Sequence, residues 1–453
     1  MRTTLLVAAV ALSACSSNDS SSARPQDAGS DHVAVDAPED VVLTEAGGDA
    51  ATDAGSGPID LSSSPGSGFE SETHVVRAPG GRMLAVWMNL GASGVQNGYA
   101  LSEDDGASWS SPKVLSGTPT KGDPVATYGQ DGSLYYGFLD GNCGAQGCDN
   151  GHVWVARLAP GSTSFEAPVD ASPANPAEFY DKPWLMTGAD GTLVLVVAAR
   201  QGQNPTNIDR IVVARSTDGT SWSHSEAVPT LPQGQIAGIP HACVSPQGSR
   251  LWVVYVDSSS PSYAGLRWSD DLGQTWPAGN HSSGFAPASS LGALQAYDLR
   301  CVGEQNDVWL MYGLASGSSS ATGIPPLDEI HVAHSADGGN TWNGNAVISE
   351  SGAQFLRPEI VRTPSGDLFV MAYGGSHEGD TNGSVRWWRS TDAGQSFTAG
   401  GTLHAPITFT GDRQSSLWIG DYGGLVALPS GFAATFADNH SGNAHVLFAK
   451  LAL

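Results

Sequence analysis

Ser335-Ala336-Asp337-Gly338-Gly339-Asn340-Thr341-Trp342 is an eight-residue stretch whose serine, aspartate, glycine and closing tryptophan return along the chain. Two further copies match it in length, Ser102–Trp109 and Ser269–Trp276. Two variants follow the same pattern: Ser216–Trp222 is one residue shorter, and Ser390–Phe397 ends in phenylalanine. A pattern that recurs in this way indicates one supersecondary unit used several times.

The residue types of this stretch fit a tight turn between two strands. A short aspartate side chain, such as that of Asp337, can accept hydrogen bonds from backbone N–H groups of its own loop. Glycine supplies the positive φ that a tight return needs, and the closing tryptophan can bury its ring between neighbouring units.

The repeated turn resembles the Asp-box, or bacterial neuraminidase repeat, and the chain therefore resembles the sialidase-like β-propellers over residues 58–453. The resemblance implies an all-β fold in which each turn joins the third and fourth strands of a blade. It also implies that the turns lie on the face opposite the ligand site, so that their residues are structural.

The strand-turn-strand units between these turns predict a single β-propeller of seven four-stranded blades, with six blades as the alternative. The last unit stops after its third strand, 444–450, so its outer strand is expected from Ile59-Asp60-Leu61, which removes the open edge. The first strands of the seven units are placed at 73–78, 124–128, 184–187, 242–245, 299–303, 359–363 and 425–428.

The charge balance excludes one class of partner. The chain has 20 Lys and Arg residues against 45 Asp and Glu residues, and its net charge is −25. Binding of nucleic acid needs a basic footprint that such a chain lacks. We expect a monomer that uses no cofactor.

The first residues read as an export signal. Arg2 precedes an apolar stretch, Leu5–Leu12, that is too short to span a bilayer. Leu12-Ser13-Ala14-Cys15 looks like a lipobox, so residues 1–15 are predicted to be a lipoprotein signal peptide with Cys15 as the lipidated residue. An ordinary signal peptide cut near Ala14 is the alternative.

Residues 16–57 are mostly Ser, Asp, Ala and Gly, with almost no large apolar side chain. This composition predicts a disordered acidic linker, because it cannot offset the entropy of ordering. The lipid on Cys15 would be the only contact with a membrane. The expected location is the outer membrane or the cell surface.

Four cysteines follow Cys15, and an even number favours disulfides in an exported protein. Cys143 and Cys148 are close enough in sequence to close a small loop. Cys243 and Cys301 hold equivalent places in successive repeats, so a bridge between neighbouring inner strands is expected. No closely spaced Cys/His quartet and no EF-hand-like loop is present in the sequence, and no metal site is predicted.

The inner strands of a propeller converge on its channel, and the ends where they begin share the default binding face. At spacing two on a strand, Asp298 and Arg300 fall on one side, as do Arg357 and Glu359. Each pair could grip a ligand, or it could only satisfy itself in the channel wall. The candidates for substrate binding on this face are Arg357, Arg300, Arg200, Tyr180, Asp298, His241 and Trp418.

The family resemblance also implies catalytic candidates. Asp421–Leu428 is similar to the stretch that carries the sialidase nucleophile, which points to Tyr422. Leu356–Val361 is similar to the stretch that holds the glutamate activating that tyrosine, which points to Glu359.

The first blade departs from the sialidase pattern. Ser71-Glu72-Thr73 stands where sialidases carry Arg-Ile-Pro, and the segment Asn89–Leu101 contains no Asp to act as the usual acid/base. A retaining sialidase would therefore lack part of its substrate clamp and its proton donor.

The expected function is that of a surface-anchored propeller that binds or processes extracellular carbohydrate, with glycoside hydrolysis as one such activity. A glycan-processing enzyme other than a sialidase would use His241, or Tyr180 with Asp181, as acid and base. A non-catalytic glycan- or protein-binding propeller is the alternative, and a true exo-sialidase is the second alternative.

Overall fold

The fold is a seven-bladed β-propeller, as the repeat count predicted, and the six-bladed alternative is excluded. No helix long and apolar enough to cross a membrane occurs among the described residues. The signal peptide, Cys15 and nearly all of the predicted linker lie outside them. The computed structural model describes residues 57–62, 69–91, 94–115, 120, 122–144, 147–175, 178–201, 208–229, 237–257, 264–282, 295–316, 325–412, 415 and 417–453.

The strands are numbered along the chain, and β1 (Ile59–Asp60) belongs to the seventh blade. Blade one contains β2 (Phe69–Arg77), β3 (Met83–Gly91), β4 (Gly94–Ser102) and β5 (Lys113–Val114). Blade two contains β6 (Gly122–Tyr128), β7 (Leu134–Gly144), β8 (Gly147–Leu158) and β9 (Val169–Asp170). Blade three contains β10 (Glu178–Thr187), β11 (Leu193–Gln201), β12 (Ile208–Ser216) and β13 (Ser223–Val228).

The later blades repeat this arrangement. Blade four contains β14 (Ala237–Val244), β15 (Leu251–Asp257), β16 (Ala264–Ser269) and β17 (His281–Ser282). Blade five contains β18 (Gln295–Glu304), β19 (Asp307–Ala315), β20 (Glu329–Ser335) and β21 (Asn343–Ile348). Blade six contains β22 (Gln354–Arg362), β23 (Leu368–Gly375), β24 (Asp380–Ser390) and β25 (Thr398–Phe409). Blade seven contains β26 (Gly424–Ala427), β27 (Gly431–Asp438) and β28 (His445–Ala452), and β1 completes it.

The ring closes where the sequence predicted. β1 pairs antiparallel with β28, with Ile59 opposite Phe448 and Asp60 opposite Leu447. The contact continues through Leu61, whose N–H donates to the Val446 carbonyl at 2.9 Å. The last blade therefore takes its outer strand from the beginning of the described chain.

The five repeated turns share one hydrogen-bonding pattern, and each lies between the third and fourth strands of its blade. In the copy at 335–342, the Ser335 hydroxyl accepts from Gly339 N–H at 2.8 Å, and the Asp337 carboxylate accepts from Thr341 N–H at 2.8 Å. The closing tryptophans reach the preceding blade: Trp342 Nε1 donates to Ser282 Oγ at 3.1 Å. The turns thus fasten neighbouring blades on the face away from the strand beginnings.

The core lies between the blades, because each sheet buries both faces against its neighbours. Between blades four and five, for example, Trp252 and Leu266 pack with Leu310 and Tyr312. A disulfide joins Cys243 on β14 to Cys301 on β18, with the two Cα atoms 5.7 Å apart, at the place expected from the sequence. Cys143 and Cys148 are backbone partners in the β7–β8 hairpin, and their side chains lie outside the described part of the chain.

Candidate functional site

A bulge near the beginning of the inner strand recurs around the ring. In blade five, Asp298 and Leu299 stand together opposite one residue of β19, because the register shifts between Tyr297 and Arg300. Similar register shifts occur in the inner strands of blades one, two, three, four and six. One residue per blade takes a positive φ there, and we call these seven residues the bulge ring: Glu72 (51°), Asp123 (51°), Lys182 (51°), Ile239 (48°), Asp298 (50°), Arg357 (50°) and Gly420 (94°).

Six of the seven members are not glycine, and a left-handed conformation costs such a residue on the order of 1–3 kcal/mol. Strained backbone of this kind persists where surrounding contacts enforce it, and it concentrates at functional sites. In the bulge ring the enforcing contacts run from blade to blade. The Glu72 carboxylate accepts from Asp123 N–H at 3.3 Å, and the Asp123 carboxylate accepts from Lys182 N–H at 3.1 Å.

Lys182 is the cationic centre of one half of this ring. Its Nζ lies 2.7 Å from Asp421 Oδ2, 3.2 Å from Asp123 Oδ1 and 3.5 Å from Glu72 Oε1. Burial lowers the pKa of the ammonium, but these carboxylates outweigh burial and hold the pKa well above its ordinary value. Lys182 therefore stays charged and joins blades one, two, three and seven.

Arg357 has the same role in the other half. Its guanidinium is fully buried. It donates from Nε to the Gly420 carbonyl at 2.8 Å and from Nη2 to Asp421 Oδ1 at 3.3 Å. Its Nη1 lies 3.6 Å from Asp298 Oδ2. Asp421 thus contacts both cationic centres across the channel.

Spacing two allowed an ion pair or a shared ligand within β18 and within β22, but the ion pairs of these side chains run between the two blades. Arg300 makes a bidentate salt bridge with Glu359 of the next blade. Its Nε donates to Oε2 and its Nη2 donates to Oε1, both at 2.8 Å. Asp298 faces Arg357, also across the seam. The bulge breaks the two-residue alternation on which the prediction relied, so both pairs join blades five and six.

Two histidines and a tryptophan each stand two residues after a member of the bulge ring, on the inner strands of blades one, three and four. His74 Nδ1 accepts from Ala126 N–H at 3.1 Å, and His241 Nδ1 accepts from Cys301 N–H at 3.2 Å. The Trp184 ring lies between them, with ring centroids 5.0 Å from His74 and 4.0 Å from His241. Burial and the Arg300 charge lower the pKa of His74 to about 4 and that of His241 well below its ordinary value. Both rings are therefore neutral, and the lone pair that a general base needs is already engaged.

Asp123 and Asp181 form a pair of neighbouring carboxyl groups. Both accept from the same Lys182 N–H, at 3.1 Å and 3.0 Å. Burial raises the pKa of Asp123 well above its ordinary value, and the neighbouring Glu72 and Asp181 raise it further against the opposing effect of Lys182. Asp181 makes an ion pair with Arg200, and 21% of its side chain is exposed. The pair combines a carboxyl group whose pKa is raised with a partner carboxyl group that solvent can reach.

Tyr422 and Glu359, the predicted nucleophile and base, each contact other groups. The Tyr422 hydroxyl donates to the Pro124 carbonyl at 3.1 Å, and burial raises its pKa well above the ordinary value. Glu359 is occupied by Arg300 and lies 3.4 Å from Gly423 N–H. An exchange of these partners would have to precede any activation of Tyr422 by Glu359.

All seven predicted substrate-binding residues are buried, and Tyr180 and Trp418 show how. Tyr180 is fully covered, and its hydroxyl lies 3.1 Å from the Pro173 carbonyl and 3.0 Å from Glu178 Oε2. Trp418 is 3% exposed and packs edge-on against Phe69, so it offers no open face for a sugar ring. The alternation of β10 turns Tyr180 into the blade while Asp181 stays near the channel.

The residues that organise the mouth of the channel stand at the strand entrances in the sequence, but no catalytic or substrate-binding role was predicted for them: Lys182, Asp123, Glu72 and Asp421. One signal could have found the bulge positions. Four members of the bulge ring stand directly before a proline. Proline cannot donate to a strand ladder and is tolerated at bulges, so a repeated X-Pro at the beginning of inner strands marks them. The four are Asp123, Lys182, Ile239 and Arg357.

Glu70, at the outer side of this face, gives a pH-dependent prediction. Burial raises its pKa from 4.5 to about 7 in the folded protein. Between pH 4.5 and about pH 7, Glu70 is protonated in the folded protein but ionised in the unfolded chain. The free energy of unfolding therefore falls as pH rises through this range. We expect Glu70→Gln to raise the melting temperature relative to wild type at pH 8 but not at pH 4, measured by differential scanning fluorimetry. An equal difference at both pH values would contradict this.

Comparisons with known proteins show the fold alone. No family model and no curated protein matches the sequence. A protein of unknown function from Dyadobacter fermentans is 14% identical, with a TM-score of 0.50 over 88% of this chain and 98% of that one. A polysaccharide lyase described as an ulvan lyase of family PL25 is 13% identical, with a TM-score of 0.57 over 87% of this chain and 96% of that one. The Hadza microbial sialidase Hz136 is 14% identical, with a TM-score of 0.47 over 85% of this chain and 65% of that one.

Proposed function

We propose that the protein processes extracellular carbohydrate at the mouth of the channel, with Asp123 as general acid and Asp181 as its partner carboxylate. The observation that carries the proposal is the single Lys182 N–H shared by both carboxyl groups, at 3.1 Å and 3.0 Å. Neighbouring carboxyl groups in different environments are the usual source of an acid and a base in one site. The description of a structural neighbour as an ulvan lyase supports carbohydrate as the ligand class.

Non-catalytic binding of a glycan or a protein is the alternative, and one observation favours it. The charges of the bulge ring are used in contacts between blades: the Lys182 ammonium alone lies within 3.5 Å of three carboxylates. Such a network fixes the shape of the mouth and leaves the Asp181 side chain 21% exposed, whereas its partner Arg200 is buried. A recognition site needs this rigidity and no proton transfer.

An exo-sialidase is the second alternative and has the weakest support. Its nucleophile would be Tyr422, whose hydroxyl is hydrogen-bonded to the Pro124 carbonyl. Its base would be Glu359, which is paired with Arg300. Arg357, one of the three predicted substrate-binding arginines, is fully buried beside Asp298 and Asp421.

The test is a turnover and binding screen on the full chain with chromogenic glycosides, sialosides, uronate polysaccharides and a glycan array. We expect Asp123→Asn to lower turnover at least about a hundredfold, because general acid–base catalysis contributes that much. Glu103→Gln is the matched control, since this carboxylate lies in a repeated turn on the opposite face with 65% of its side chain exposed. Tyr422→Phe should keep its activity.

Each other outcome selects an alternative. Binding to the array without turnover of any substrate, altered by Asp181→Asn but not by Glu103→Gln, would establish a recognition propeller. Release of sialic acid that disappears in Tyr422→Phe would establish the sialidase. Circular dichroism and a melting curve on each variant separate loss of function from loss of fold.

We further propose that the protein is exported and held at the outer membrane or cell surface by a lipid on Cys15. The support is the sequence Leu12-Ser13-Ala14-Cys15 after an apolar stretch. Mass spectrometry of the mature N-terminus tests this, since an acylated Cys15 is expected and a free N-terminus beyond it would refute the anchor.

A further inference from the structure

Three possible metal ligands meet at the seam between blades six and seven. His404 lies in the outer strand β25, Asp438 is the last residue of β27, and His440 follows in the next turn. Their ligand atoms all lie within 4.8 Å of one another. Because β27 ends on the face where the inner strands begin, the group shares that face with the bulge ring but lies towards the rim.

The separations, which fit direct hydrogen bonds and ion pairs, would also fit three ligand atoms around one ion. His404 Nε2 is 3.3 Å from Asp438 Oδ2, and His440 Nδ1 is 3.0 Å from each Asp438 oxygen. Tetrahedral zinc with bonds of about 2.0–2.1 Å places its ligand atoms about 3.3–3.4 Å apart. His404 Nε2 is also buried without a hydrogen bond of good geometry, although it contacts the carboxylate. A cation between the three groups would account for that contact.

Neighbouring contacts hold the three ligands in place before any ion binds. Asn439 donates from Nδ2 to the Thr408 carbonyl at 2.8 Å and to the Leu417 carbonyl at 2.6 Å, and accepts from Thr408 N–H at 2.7 Å. These bonds fasten the turn that carries Asp438 and His440 to the strand that carries His404. Supporting hydrogen bonds of this kind orient the ligands of protein metal sites.

We propose that His404, Asp438 and His440 form a site for zinc or a similar divalent transition-metal ion. Two imidazoles and one carboxylate suit zinc better than calcium or magnesium, which prefer oxygen ligands. Asp438 is largely buried, whereas 48% of the His440 side chain is exposed, so an ion can reach the ligands from solvent. The bound ion would fasten blade six to blade seven, the blade that closes the ring.

The test uses the tag-free full chain, stripped with a chelator and titrated with zinc chloride alone. We expect one zinc per chain by calorimetry and elemental analysis, a higher melting temperature, and visible d–d bands when cobalt replaces zinc. His440→Ala should weaken binding at least tenfold, as should Asp438→Asn. His281→Ala, which removes an exposed histidine elsewhere, should leave binding unchanged.

Two results would overturn the site. One is the absence of stoichiometric zinc uptake by the stripped wild type. The other is uptake that persists with unchanged affinity in both His440→Ala and Asp438→Asn, since the ion would then bind elsewhere. Because the His440 side chain is half-exposed, its alanine variant is expected to fold, and a melting curve without metal checks this.

Discussion

Replacing Arg357 by methionine should destabilise the protein by about 3–5 kcal/mol, the usual cost of removing one partner of a buried ion pair. The fully buried guanidinium contacts the carboxylates of Asp298 and Asp421 and the Gly420 carbonyl. Methionine keeps much of the volume but leaves the carboxylates without this cation. The loss comes mainly from their uncompensated burial.

The measurement is urea unfolding of wild type and Arg357→Met, followed by tryptophan fluorescence. Arg389→Met is the matched control, because Arg389 pairs with Asp367 but is 39% exposed, and a surface pair contributes no more than about 1 kcal/mol. A similar loss in both variants would show that Arg357 is no more important than a surface arginine. An unchanged slope against urea would place the effect in stability rather than in the extent of unfolding.

Removing the disulfide by Cys243→Ala with Cys301→Ala should cost about 4 kcal/mol, because the bridge closes a long loop in the unfolded chain. The two cysteines are 58 residues apart in sequence. The bridge lies at the seam where the bulge ring has an apolar member, Ile239, whose side chain brings no charge to its neighbours. It therefore fastens blades four and five at the position where the blade-four member of the bulge ring is uncharged.

The disulfide experiment needs a background in which this is the only pair of cysteines that can bridge. We would compare urea unfolding of a Cys143→Ala/Cys148→Ala chain with the same chain lacking Cys243 and Cys301. Reductant should lower the stability of the first chain towards that of the second and leave the second unchanged. A difference below about 1 kcal/mol would mean that the unfolded chain gains little freedom without the bridge.

The fold could be predicted from the sequence because its information is local and repeated. The five repeated turns, such as the one at 335–342, identify the repeating unit, and the seven strand-turn-strand units along the chain count the blades. The closing role of Ile59–Asp60 followed from the missing strand of the last unit, and the Cys243–Cys301 bridge from their equivalent positions. Each of these inferences needed only the order of elements.

The site was less accessible to such reasoning, because its contacts cross between blades. Spacing two placed Arg300 beside Asp298, but a bulge changes the alternation and pairs Arg300 with Glu359. The role of Lys182 depends on carboxylates from three other blades, which no local pattern relates. The grouping of His404 with Asp438 and His440 likewise arises only from packing, and a search for closely spaced ligands missed it.

The pairing of β1 with β28 governs when the fold can be completed during biosynthesis. Ile59–Asp60 is made early and His445–Ala452 last, so the early strand has no partner until translation has passed the final blade. Until then, blades one and seven keep open strand edges, which are templates for pairing with other chains. A chain of this design is therefore open to association with other copies until the two strands have paired, and removal of His445–Ala452 would leave β1 without its partner.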